Sequence, residues 1–254
     1  MNTLARQHYA RVTAAEASGS TEPGLPIDAT AYELVLAQLG EDRRRLKQVQ
    51  SIERKIEVKR QMLPTYLPWI EGALEAGRGG QDAVLTTMMV WAIDTGEQAL
   101  ALRIAAYVLE HKLAMPDQYQ RGAATIVAEE IADQALAAFG TGVEFALDAL
   151  EGCEQLTRTH DMPDEVRAKL HKALGLCIAQ KVEASTDDTR RTFISVALEH
   201  LRRALQLSER IGVKKDIERL ERALKNTPIN QSAERDASAG SLSHADASAP
   251  ETTG

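Results

Sequence analysis

Aromatic residues and cysteines are scarce in this sequence of 254 residues. Trp, Tyr and Phe make up 4% of it, and the two cysteines, Cys153 and Cys177, form no CxxC pair. This spacing excludes a thioredoxin-like or zinc-ribbon motif. Two cysteines in apolar helical stretches are typical of buried thiols in a reducing compartment. We therefore expect both to be buried free thiols.

Long apolar runs are also missing. Residues 1–25 lack the apolar core of a signal peptide, and the longest uncharged stretch, residues 83–93, is too short to cross a bilayer. We therefore expect a cytoplasmic protein that makes no membrane contact.

The signatures of common catalytic sites are absent as well. The six histidines show no HExxH spacing, and the glycine-rich stretch at residues 77–80 lacks the phosphate loop of an ATPase. Residues 57–59 match the E-x-K element of one nuclease class, but they lie in a helical pattern and not on a strand. Acidic pairs such as Glu129 and Glu130 are adjacent, and adjacent residues of a helix point in different directions. The sequence therefore predicts no catalytic residue, no metal site and no cofactor.

Residues that favour helices dominate the chain, and strand patterns are nearly absent. We predict an all-α fold in which a basic, coiled-coil-like helix precedes stacked helical hairpins of tetratricopeptide-like type, with disordered termini. The predicted helical runs are residues 31–63, 69–80, 81–93, 97–113, 125–139, 143–157, 164–182, 189–209 and 214–225. Gly40 is the one candidate break in the first run, and Pro64 and Pro68 are expected to end it.

Basic residues are concentrated in one short segment of an acidic protein. The whole chain has a formal net charge of −7, whereas residues 43–60 hold eight basic and two acidic side chains, a local charge of +6. Such segregation favours contact with DNA phosphates; the alternative is a solvated coiled-coil face with internal ion pairs. The candidate DNA-binding residues are Arg43, Arg44, Arg45, Lys47, Arg54, Lys55, Lys59 and Arg60.

Apolar residues in the same segment recur at helical spacing, so we expect them to form one stripe that packs between protomers. They are Leu39, Leu46, Val49, Ile52, Ile56 and Leu63. We accordingly divide the chain into four segments. They are a flexible N-terminal arm at residues 1–29, a basic helical segment for DNA binding and oligomerisation at 30–63, a helical-hairpin body at 64–225 and a disordered acidic tail at 226–254.

Several strings, in order along the chain, closely resemble the small terminase subunit of temperate, contractile-tailed phages that package DNA from a cohesive-end site. The likeness runs from about Arg6 to Lys225. The strings are 62–72 (MLPTYLPWIEG), 79–85 (GGQDAVL), 89–96 (MVWAIDTG), 105–109 (AAYVL), 161–172 (DMPDEVRAKLHK) and 212–222 (GVKKDIERLER).

The resemblance implies a role in genome packaging in the cytoplasm of the bacterial host, for a phage or a prophage. Small terminase subunits bind the packaging site on double-stranded phage DNA, usually as a ring-shaped homo-oligomer, and present it to a large subunit with the ATPase and nuclease activities. Relatives often end in a basic tail, whereas residues 227–254 carry a net charge of −3. This departure moves the expected DNA contact to the basic segment and the N-terminal arm.

Two alternatives to this function remain open. The family is often labelled the endonuclease subunit of terminase, so the chain could cut DNA with carboxylates that form no recognisable motif. The helical hairpins could also form a protein-interaction scaffold that has no affinity for DNA. Because no catalytic motif is visible, we attribute the cut to the complete terminase.

Overall fold

The computed structural model describes residues 4–17, 29–116, 119–182 and 185–227, which form ten α-helices and no strand. The all-α prediction is thereby confirmed. The helices are α1 (Leu4–Ala17), α2 (Ala29–Gln48), α3 (Ile52–Ala76), α4 (Ala83–Thr95), α5 (Gln98–Glu110), α6 (Ala123–Gly140), α7 (Leu147–Thr157), α8 (Asp164–Lys181), α9 (Asp187–Leu207) and α10 (Lys214–Asn226). The tetratricopeptide-like stacking stays a prediction, and residues 228–254 of the expected tail lie outside the described residues.

Residues 4–17 form a helix packed on α3, where the sequence predicted a flexible arm. Ala14 is fully buried, and the Arg11 guanidinium donates two hydrogen bonds to the Glu75 carboxylate, at 2.6 and 2.9 Å. The prediction is therefore corrected for residues 4–17. The remainder of the expected arm, residues 18–28, lies outside the described residues.

The basic segment consists of two helices and not of one helix through residue 63. Residues 49–51 separate α2 from α3, and the Ser51 hydroxyl caps α3 by accepting a hydrogen bond from the Arg54 backbone N–H at 3.3 Å. The chain reverses here, so the far ends of the two helices meet where the Tyr32 and Trp69 rings stack 5.9 Å apart. Gly40, the expected break, lies inside α2.

Pro64 and Pro68 lie inside α3, so the prediction that they end the helix was wrong. Each proline removes one backbone hydrogen bond. The two are four residues apart and therefore share one side of the helix, where Pro64 is exposed and Pro68 partly exposed. Water can reach the carbonyl groups left without a partner on that side. The buried side, which includes Tyr66 and Ile70, stabilises the helix through its packing.

The apolar stripe of the basic segment faces the core of its own chain. Leu39, Leu46 and Leu63 are buried there, whereas Ile52, beside the turn between α2 and α3, is 75% exposed. The expectation that the stripe packs between protomers is therefore corrected for these three buried leucines. The expected boundary between residues 63 and 64 falls within α3.

The uncharged stretch at residues 83–93 belongs to α4, the most deeply buried helix, which α2, α3, α5 and α6 surround. Asp82 caps its N-terminus by accepting hydrogen bonds from the Val84 and Leu85 backbone N–H groups and, at 2.8 Å, from Trp69 Nε1. Burial is the main cause that raises the pKa of Asp82. Across the described ranges, every helix is either too short or too polar to span a bilayer.

The C-terminal helices form a second apolar cluster. The helices α8 and α9 pack closely along their length. They can do so at Gly175 because this residue has no side chain, since an added Cβ would lie 2.6 Å from the Leu201 Cγ. The amphipathic helix α10 then covers α9 with Ile217 and Leu220. The helices α9 and α10 contribute to this second cluster only, whereas α8 also places Leu170 and Leu174 in the cluster that contains α4.

Candidate nucleic-acid interface

The eight candidate DNA-binding residues fall on two helices that meet at the turn of residues 49–51. Arg43, Arg44, Arg45 and Lys47 occupy the last turns of α2, whereas Arg54, Lys55, Lys59 and Arg60 occupy the first half of α3. Cations near a helix C-terminus interact favourably with the helix dipole, so the sequence stabilises a basic end on α2.

A hydrogen bond from α3 supports the basic end of α2. The Tyr66 hydroxyl donates a hydrogen bond to Asp42 Oδ2 at 2.6 Å, and burial, aided by that bond, raises the pKa of Tyr66. At the other end of α2, the Tyr32 hydroxyl accepts a hydrogen bond from the Ala83 backbone N–H at 2.8 Å. These two contacts fix α2 against α3 and α4, so the arginines after Asp42 project from a supported helix.

Most of the basic side chains of α2 are open to solvent. Arg44, Arg45 and Lys47 are exposed, and Arg43 is partly exposed. Arg44 forms an ion pair with Glu41 one turn before it and also donates a hydrogen bond to the Gly40 carbonyl at 3.3 Å. Exposed ion pairs of this kind contribute at most about 1 kcal/mol. A phosphate can therefore compete with Glu41 for the arginine.

Arg43, Arg44 and Lys47 line one side of a groove of about 950 Å³. Gln81, Lys112 and Ala114 are among the residues that line the other side. The Gln81 side chain fixes that side because it donates to the Ala114 carbonyl at 2.9 Å and accepts from the Ala114 backbone N–H at 2.8 Å. Among the described residues that line the groove, four are basic and none is acidic, so the lining favours a polyanion.

The basic side chains of α3 divide into two groups. Arg54 is exposed and Lys55 partly exposed, near the turn that follows α2. Lys59, by contrast, forms a partly buried ion pair with Asp94 of α4, and Arg60 donates to Glu57 at 2.9 Å and to the Thr95 carbonyl at 3.3 Å. The second group therefore attaches α3 to the C-terminal end of α4.

The carboxylates considered for metal chemistry do not converge. In the E-x-K element, Glu57 contacts Arg60 and Gln61, whereas Lys59 contacts Asp94. Burial, followed by the charges of Asp94 and Asp133, raises the pKa of Glu130. In the part of the chain that the structure describes, no three His, Cys, Asp or Glu side chains are grouped so as to hold a metal ion.

Glu129, the neighbour of Glu130 in the sequence, is paired with basic side chains. It forms ion pairs with Arg121 and with Lys169, the latter at 3.5 Å. These contacts join the start of α6 and the middle of α8, so they support the helix packing. Glu129 is therefore paired with basic side chains and not with a second carboxylate.

The cysteines are buried, and two of the histidines are partly buried. Cys153 and Cys177 are buried free thiols, as predicted, and burial raises the pKa of Cys153 to about 12. The Nδ1 atoms of His171 on α8 and His200 on α9 lie 3.0 Å apart. Burial, followed by the charge of His200, lowers the pKa of His171 to about 4, and burial lowers the pKa of His200.

Two features of this surface have no signal in the sequence. Lys112 was expected at the end of a helix, yet it follows α5 and reaches the groove beside α2. The hydrogen bond between Tyr66 and Asp42 joins residues 24 positions apart. Neither relationship follows a helical period, so only the tertiary packing brings these residues together.

Comparison with known proteins identifies the family. The model of the phage small terminase subunit family matches residues 36–165, which include the basic parts of α2 and α3 and both sides of the groove. The chain is 43% identical over 231 residues to the "Terminase, endonuclease subunit" of Escherichia phage P2, covering 91% of this chain and 89% of that protein. The chain belongs to the phage small terminase subunit family.

A second relative comes from another phage. The "Probable terminase, endonuclease subunit" of Haemophilus phage HP1 (strain HP1c1) is 30% identical over 170 residues, which cover 65% of this chain and 60% of that protein. No solved structure matches the chain. Family membership agrees with the resemblance that the sequence strings indicated.

Proposed function

We propose that this small terminase subunit binds double-stranded phage DNA through the basic end of α2 and presents it to the terminase large subunit for packaging in the host cytoplasm. The observation that carries the proposal is the groove lined by Arg43, Arg44 and Lys47, where the described lining residues include basic side chains and no acidic one. Arg45, Arg54 and Lys55 extend this positive surface around the turn at residues 49–51.

The binding energy comes mainly from phosphate contacts. Each basic side chain that meets a phosphate releases counterions, so affinity falls as salt concentration rises, with a slope of about −0.9 per phosphate. Lys59 and Arg60 contribute to the stability of the protein more than to DNA contact, because Asp94 and the Thr95 carbonyl already engage them. Sequence preference would then arise from DNA shape or from assembly of several subunits.

Self-assembly, in a ring as the family resemblance implies, is part of the proposal. Large apolar side chains are exposed on the N-terminal helices, among them Leu4 at 84%, Tyr9 at 71% and Leu34 at 71%. Exposed apolar side chains are candidates for protomer contacts, although single ones are common on any surface. Several subunits side by side would place several basic α2 ends along one duplex, and their combined affinity would exceed that of one subunit.

The endonuclease label of the phage P2 relative supports a second candidate function, cutting by this chain itself. The described residues offer no grouped carboxylates for it. We therefore assign the cut to the large subunit within the complete terminase, and the helices α9 and α10 are our candidates for docking that subunit.

The test uses the purified chain with a duplex that carries the phage end site, over a salt series, with and without magnesium. Reversing Arg43, Arg44 and Arg45 to Glu should lower affinity at least tenfold while helicity, measured by circular dichroism, is unchanged. The matched control replaces by Glu three exposed basic residues elsewhere on the protein, Arg210, Lys214 and Lys215.

Equal loss in both triple variants would indicate non-specific attraction and would remove the assignment to α2. Unchanged affinity in the α2 variant would have the same consequence. Cleavage by the wild-type chain that requires magnesium would establish the endonuclease alternative.

A further inference from the structure

Lys112 has a left-handed backbone conformation, which residues with a side chain rarely adopt. Its φ angle is +53°, and it is the only residue other than glycine with positive φ in the described ranges. In this left-handed region the Cβ atom lies too close to the neighbouring carbonyl oxygen, so glycine is the usual occupant.

Two other helices end with the same hydrogen-bond pattern and have glycine at this position. In α4, the Gly96 N–H donates to Ile93 and the Glu97 N–H to Ala92, both at 2.9 Å; Gly142 and Val143 repeat the pattern after α6. In α5, the Lys112 N–H donates to Leu109 at 3.3 Å and the Leu113 N–H to Val108 at 2.9 Å. The turn therefore requires a left-handed residue and has no need of lysine.

The surroundings of Lys112 are rigid. Directly before it, the His111 ring contacts the Tyr107 ring at 4.4 Å and packs so closely on Gly79 that an added Cβ would lie 2.5 Å from the imidazole. The Tyr107 hydroxyl accepts a hydrogen bond from the Gly79 N–H at 2.8 Å. The end of α5 is thus fixed against residues 77–80, and the exposed Lys112 side chain starts from a fixed point.

The lysine at this place adds to the positive charge of the groove. Lys112 lines the groove opposite Arg43, Arg44 and Lys47. A fourth cation in this groove raises the local positive potential, which favours an anion between the two sides. The strained backbone that presents Lys112 and the positive potential of the groove together point to an anionic ligand.

We propose that Lys112 contacts the phosphate backbone of double-stranded DNA from the side of the groove opposite α2. The inference deepens the proposed function and rests on it. The DNA backbone would then lie between α2 and the end of α5, and would be held from two sides. The two surfaces that would hold the DNA belong to different helices, α2 and α5, so neither helix alone contains both of them.

Lys112→Gly tests the inference because backbone and side chain predict opposite effects. The glycine variant should unfold at a higher temperature than wild type, because the strain is relieved. Its affinity for duplex DNA should fall roughly threefold to tenfold, and the salt slope should decrease by about one. Lys112→Gln should lose affinity without gaining stability, and Lys215→Gln, at an exposed base of α10, should change neither.

Failure of this inference is distinguishable from failure of the proposed function. Suppose that wild type binds DNA and the triple reversal on α2 lowers affinity at least tenfold, but Lys112→Gly keeps the wild-type affinity and salt slope. Lys112 then makes no contact, and only this inference is overturned. If wild type shows no salt-dependent binding, both are overturned. If the glycine variant unfolds at a lower temperature than wild type, the strain argument is wrong.

Discussion

A Cβ atom added to Gly72 of α3 would lie 2.3 Å from the backbone carbonyl oxygen of Arg11 of α1. The same atom would lie 2.8 Å from the Ala14 Cβ. Neither contact is possible for a folded protein, so α1 can pack here only because residue 72 has no side chain. The Arg11–Glu75 ion pair lies next to this contact and aligns the two helices.

Gly72→Ala should therefore destabilise the protein by about 1–3 kcal/mol, because the helices must move apart to admit the methyl group. Gly40→Ala is the matched control: it also lies inside a helix, but an added Cβ would meet nothing within 4 Å. That variant should gain about 0.5–1 kcal/mol from its higher helix propensity. Urea denaturation measures both, and a Gly72→Ala variant as stable as wild type would show that α1 does not pack on α3.

Two lysines of the basic segment should behave oppositely. Lys59→Gln should lower the free energy of unfolding by about 1–3 kcal/mol, because it leaves the partly buried Asp94 carboxylate without its partner, and DNA affinity should stay near the wild-type value. Lys47→Gln, on the exposed end of α2, should leave stability unchanged and weaken DNA binding.

A double-mutant cycle with Asp94→Asn completes this test. The effects of Lys59→Gln and Asp94→Asn on the free energy of unfolding should be strongly non-additive if the two side chains form the ion pair. Additive effects, or a Lys59→Gln variant that loses DNA affinity without losing stability, would return Lys59 to the DNA-binding surface.

The contact between His171 and His200 predicts how stability depends on pH. The short Nδ1–Nδ1 distance requires one ring to donate and the other to accept, so the pair is favoured while at least one ring is neutral. Burial lowers the pKa of His171 from 6.5 to about 4. Between those values the unfolded chain binds a proton that the folded chain does not, so stability should fall as pH decreases from 6.5 towards 4.

His171→Gln should reduce this pH dependence in thermal unfolding scans, whereas His8→Gln, at an exposed position of α1, should leave it as in wild type. Carboxylates elsewhere also titrate in this range, so the difference between the two variants is the informative quantity. Equal pH profiles for wild type and His171→Gln would show that the pair does not affect stability.

The helical periodicity of the sequence was sufficient to predict the all-α fold and the helices after residue 80, because apolar spacing is a local property. Pro64 and Pro68 misled the prediction for the same reason: their cost is local, whereas the burial of Tyr66 and Ile70 that outweighs it depends on α1, α2 and α4. Local pattern also could not show that α1 has a packing partner in Gly72.

The candidate surface was predictable in its location but not in its shape. Charge segregation identified residues 43–60, which is a matter of counting. The turn at residues 49–51 then separates the basic side chains into two groups. Asp94, which forms an ion pair with Lys59, lies 35 residues further along the chain. Lys112 joins the groove only through the packing of α5, so no pattern near residue 112 could indicate it.

Lysine acetylation with and without duplex DNA, followed by mass spectrometry, tests most directly where DNA binds. We predict that DNA protects Lys47, Lys55 and Lys112 and leaves Lys214 and Lys215 as reactive as in the unbound protein. Protection of Lys214 and Lys215 with Lys47 still reactive would place the DNA on the C-terminal helices, and would contradict the assignment of the binding surface to α2.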